Sequence, residues 1–109
     1  MRVALMGKYA ASGGAEVLLR QHARLLLRSG IGVTVFHHDI VEQPVPGVSA
    51  RSIPNPYTGD GLQTSGVIDQ ILSEHFDLVH FHLINALHDV SMLETISRHT
   101  AVAITPQRR

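Results

Sequence analysis

Between Val3 and Phe36 the chain sets out, in order, a short apolar run, a glycine-punctuated loop, an amphipathic helix and a second apolar run, and few folds accept that sequence of elements. The run Val3 to Met6 is continuously apolar and stops at Gly7, the signature of a strand buried on both faces. Stepping at about 100° per residue from Gly14 to Ser29 gathers Ala15, Leu18, Leu19, His22, Leu25 and Leu26 on one side. Arg20, Arg24 and Arg28 fall on the other, and Gly30 closes the helix. Val33 to Phe36 is β-branched and aromatic, so a second strand follows and the whole is a βαβ unit.

The rest of the chain continues the alternation. Residues 41–61 concentrate proline and other turn formers and are expected to be mostly irregular, with a short strand around Val48 to Ile53. Leu62 to Phe76 reads as a helix that Gly66 weakens, Asp77 to Leu83 as a strand, Ala86 to His99 as a helix and Thr100 to Thr105 as a last strand. Strands alternating with helices predict an α/β protein, a Rossmann-like doubly wound parallel sheet with helices on both faces. Ligands of such sheets sit beyond the carboxyl ends of the strands.

With 109 residues, 44% of them hydrophobic, residues 1–109 suit a single domain with one core. Lys plus Arg balance Asp plus Glu at 9 each, so no global charge draws the chain to nucleic acid. The absence of cysteine excludes disulfides and thiolate metal sites and fits a reducing compartment, so the expected location is the cytoplasm. No apolar stretch is long enough for a signal peptide or a membrane span.

The loop "GKYAASGGAE" has neither of the two familiar phosphate-binding spacings. A Walker loop needs Gly-Lys-Ser/Thr four residues after its first glycine, and here Lys8 follows Gly7 at once. The dinucleotide fingerprint needs a second glycine where Tyr9 stands, and Asp39 does not compensate for it. What remains is Gly13-Gly14 at a helix N-terminus, where free N–H groups and the helix dipole favour an anion. The same two glycines also serve if they only turn the chain, and spacing leaves both readings open.

The stretch "SGGAEVLLRQHARLLLRSGIGVTVF" resembles the opening of the N-terminal domain of retaining, GT-B-fold glycosyltransferases of family 4, with a Gly-Gly-x-Glu loop and a Gly-x-x-Val-x-Val strand. "FDLVHFHLINAL" is similar to that family's Asp-hydrophobic-Val-His-x-His strand and following loop, and with "MRVALMGKY" the likeness spans nearly the whole chain in the right order. The resemblance implies the N-terminal, acceptor-side half of a GT-B fold, working with a nucleotide-sugar as co-substrate and no cofactor or metal. It implies that Gly13 and Gly14 face the donor's diphosphate, and that Tyr9, Ser12, Glu16, His82 and Asn85 line the acceptor cleft.

The likeness also has gaps. Gln107 stands where the family's "Thr-x-His-Asp" histidine is expected, and the C-terminal donor domain with its pair of glutamates is absent. Glu16, Glu42, Glu74 and Glu94 supply no such pair. Leaving-group stabilisation and sugar orientation fall largely to that half, so the chain is expected to be a truncated form, inactive alone. The alternative is a non-catalytic Rossmann-like binding module, for which an unpaired last strand is the natural contact, or a non-functional remnant.

Two further features stand outside that likeness. Among eight histidines, His80 and His82 alternate onto one face of a strand, and His37 or His38 on a neighbouring strand end invites a metal-site reading. Without a carboxylate or cysteine to complete a familiar ligand spacing, the expectation is no metal, with His22 packed in the apolar stripe of its helix. Arg20, Arg24 and Arg28 are expected on a solvated face, and they offer peripheral contact with anionic headgroups at the inner membrane face.

Overall fold

The computed structural model describes residues 1–7, 14–37, 44–53, 61–82 and 87–105, with backbone alone for 14–16, 61–65 and 87–91. Five strands form one sheet: β1 (Arg2–Met6), β2 (Gly32–His37), β3 (Ser49–Ser52), β4 (Leu78–Phe81) and β5 (Ala101–Ile104). The helices are α1 (Gly14–Arg28), α2 (Gly61–Ser73) and α3 (Leu87–Ser97). Strand order is β3-β2-β1-β4-β5 and every pairing is parallel, so the sheet is Rossmann-like as expected.

Alternation along the strands sorts the core into two layers. Val3, Leu5, Val33 and Val35 point to one face, beneath Leu19 and Ala23 of α1. Ala4, Met6, Phe36, Val79 and Phe81 point to the other, beneath Val67 and Ile71 of α2 and Met92 and Ile96 of α3. Phe76 closes this second layer by meeting Phe36 edge to face, with ring centroids 5.8 Å apart. α2 runs straight through Gly66, whose missing side chain would meet nothing within 4 Å.

The end of α1 shows why β2 begins where it does. Ile31 N donates to Leu26 O and Gly30 N to Leu27 O, each at 3.0 Å, the paired bonds of a Schellman stop. Gly30 supplies the left-handed residue that this stop requires, at φ 78°. Leu26 and Ile31 then pack against the same apolar layer, which aims the chain into β2.

α1 is rolled about its axis relative to the stripe its sequence suggests. Leu19 and Ala23 are fully buried, whereas Leu18 and Leu25, expected in the core, are 55% and 61% exposed. Arg20, expected on the solvated face, is 6% exposed. The helix lies over β1 and β2, so its buried line follows Leu19, Ala23 and Leu26, and Leu18, His22 and Leu25 turn sideways above β4 and β5. Arg24 and Arg28 remain exposed, as read, so the basic face is two residues wide and not three.

Candidate functional site at the carboxyl ends of β1 and β4

The chain moves outward from β1 to β2 and β3, then returns to β4 on the other side of β1. That reversal opens a crevice beyond the carboxyl ends of β1 and β4, the place where open α/β sheets bind ligands. Gly7 and His82 mark its two lips. Gly7 N donates to Phe36 O at 3.2 Å and His82 N donates to Met6 O at 2.9 Å, so the sheet ladder holds both to the rim.

Gly7 is glycine for a steric reason. A Cβ there would lie 2.9 Å from Leu19 Cδ1 and 3.2 Å from His82 Cβ. The bare backbone lets α1 come down onto the rim beside β4.

Three imidazoles meet on the α1 side of this rim. His80 and His82 share a face of β4 and its continuation, with rings stacked at 4.7 Å between centroids and 24° between planes. His22 descends from α1 with its Nδ1 2.8 Å from His82 Nε2 and its ring centroid 4.7 Å from that of His80. On the far side, His80 Nε2 and Thr105 Oγ1 share a hydrogen bond of 2.6 Å, and Thr105 is fixed by donating its N–H to Phe81 O. The groove of about 400 Å³ that they line is bordered by Leu18, Gln21 and Leu25 of α1.

No charged side chain of the described residues lines the groove, and that absence sets its electrostatics. Burial lowers the pKa of all three histidines, and the mutual repulsion of protonated rings lowers His80 and His82 further. His82, at 7% exposure, is held down at about 4. At neutral pH the cluster is therefore three uncharged rings with lone pairs available to accept a proton or to ligate a metal.

Of the residues expected to form a site, His82 lies at the rim and Gly14 begins α1. Glu16 belongs to the first turn of α1, and Tyr9, Ser12, Gly13 and Asn85 lie outside the described residues, as do His38 and Gln107. His80 and His82 share a face as alternation requires, but the ring that joins them is His22, not His37. His37 is buried on β2, with β1 between it and β4. Thr105 carried no signal in the sequence, because a lone threonine after a strand is commonplace. His22 did carry one, as the only ring in an otherwise aliphatic stripe.

No protein-family model matches this chain, and no curated protein matches it either. Among the described residues, no helix is long and apolar enough to cross a membrane.

Proposed function

We propose that this chain is the acceptor-side, N-terminal domain of a retaining glycosyltransferase of GT-B type, acting on a nucleotide-sugar and an acceptor of unassigned chemistry. The observation that carries the reading is the sheet order. β1, which runs into Gly7, lies beside β4, which ends one residue before His82, so the helix that starts at Gly14 and the His82 rim face one crevice. Gly7 and His82, which belong to two of the stretches that resemble the family, stand side by side at the carboxyl ends of β1 and β4 and support the reading.

In the transfer, the bond from the anomeric carbon to the diphosphate oxygen breaks and a bond to an acceptor oxygen forms. Negative charge grows on the departing diphosphate, and a helix N-terminus is suited to meet it. The neutral His82 ring at the rim is suited to hydrogen-bond an acceptor hydroxyl. The reading assigns donor binding largely to a second domain, so binding by residues 1–109 by themselves is expected to be weak and turnover absent.

A ¹H–¹⁵N NMR titration with UDP-, GDP- and ADP-sugars tests it. Shifts concentrated on the amides of Gly7, Gly14 and His82, and lost when sugar phosphate is replaced by free sugar, are expected. A panel that moves none of these amides at millimolar ligand sinks the reading.

A second reading, a non-catalytic binding module, is favoured by β5. It is an edge strand, and Ile104 on it is 48% exposed. Concentration-dependent association abolished by Ile104→Lys, together with a silent nucleotide-sugar panel, would select that reading.

A further inference from the structure

We propose that His22, His80 and His82 form a binding site for one divalent transition-metal ion, zinc or a metal of similar ligand preference, with its open coordination position facing the groove beside Thr105. The proposal stands on the geometry of three side chains and is independent of the sugar-transfer reading.

Each of the three rings offers a ligand nitrogen, and these nitrogens all lie within 4.8 Å of one another. Tetrahedral zinc with bonds of about 2.0–2.1 Å needs nitrogens about 3.3–3.4 Å apart. The 2.8 Å between His22 Nδ1 and His82 Nε2 and the 4.8 Å limit bracket that value, so small rotations of the rings suffice. Two imidazole nitrogens at 2.8 Å must share one proton between two lone pairs. A metal ion uses both lone pairs, the shared proton moving to the other nitrogen of the ring that carried it, so that both rings ligate as neutral imidazoles.

The scaffold is suited to the task. Strand alternation presents His80 and His82 as a His-x-His pair on one face, and a helix supplies the third ligand from above, so the donors come from two rigid elements. One of the rings is already held in place, because His80 Nε2 and Thr105 Oγ1 share a hydrogen bond.

The ligand set also selects the class of ion. Three neutral imidazoles with no carboxylate among them suit zinc, copper, nickel or iron and not magnesium or calcium. Little proton competition opposes binding at neutral pH, since burial already keeps the rings uncharged. Neutral ligands leave the full double charge of the ion in place, so its fourth position favours an anion: hydroxide, a carboxylate or a phosphate oxygen.

The test uses the whole chain without a histidine tag. Cobalt(II) is titrated by visible absorption and zinc(II) by calorimetry, in a buffer that does not chelate. One ion per chain is expected, with intense four-coordinate cobalt bands that zinc abolishes. His22 is part-exposed on a helix, so His22→Gln is the milder ligand deletion, and it is expected to weaken zinc at least about 100-fold. Thr105→Val is expected to weaken it about 10-fold, whereas His99→Gln on the exposed end of α3's turn leaves it unchanged. Because a ligand variant can fail by unfolding, the wild-type chain supplies the deciding readout: long-range ¹H–¹⁵N spectra of the imidazoles on adding zinc. Shifts confined to His22, His80 and His82 support the site. Absence of saturable one-to-one binding, or shifts that fall instead on His75 or His99, overturns it.

Discussion

At the scale of single residues, the cluster makes stability depend on pH in one direction. Burial holds His82 neutral in the folded chain down to about pH 4, against the ordinary histidine value of 6.5. Between those values the unfolded chain binds the additional proton, so stability falls as pH drops through this window and is level above it. His22 and His80 are shifted the same way and add to the slope. The His82 contribution is on the order of 2–3 kcal/mol when fully lost. Urea midpoints of the metal-free chain at pH 7.5, 6.5, 5.5 and 5 should fall below pH 6.5, before the carboxylates begin to titrate; a midpoint that rises on acidification contradicts the neutral cluster. Gly7 makes a second prediction. Gly7→Ala forces a methyl group against the buried Leu19 and the stem of His82, and should destabilise by about 1–3 kcal/mol in the same urea assay. A change within experimental error would mean that α1 sits farther from the rim.

At the scale of elements, the roll of α1 is the part that sequence periodicity misjudged. Leu18, Leu19, Leu25, Leu26 and Leu27 crowd one helix, so overlapping apolar stripes compete and only docking against the sheet chooses between them. Leu19→Ala should cost about 2–4 kcal/mol and Leu25→Ala under about 0.5 kcal/mol. Equal losses on thermal unfolding would restore the stripe read from sequence. The strands were far more legible. Short apolar runs with a glycine or proline at one end mark β1, β2 and β5 to within a residue or two, and the turn-rich 41–61 region does contain the brief β3. The site was legible by halves. Period-two alternation joins His80 to His82 from the letters alone, but His22 joins them only through the roll of α1, and Thr105 only through the pairing of β5 with β4. Tertiary docking decides both, and no local pattern encodes it.

At the scale of the whole molecule, β1 is the strand on which both layers depend. It is paired on both sides, and its side chains feed the α1 layer and the α2–α3 layer alternately. Native-state hydrogen exchange should therefore be slowest for the amides of Ala4 to Met6, and fastest among the strands for the edge strands β3 and β5. If β3 outlasted β1, the order of stability drawn from the sheet would be wrong. β4 carries a different kind of constraint. Val79 and Phe81 serve the α2–α3 layer, while His80 and His82 serve the groove, so core and site are spelled in interleaved letters. A one-codon insertion or deletion inside Leu78–Phe81 would exchange the two sets, driving imidazoles among Ile71 and Ile96 and a phenyl ring into the groove. The length of this strand is therefore held more tightly than any one of its letters.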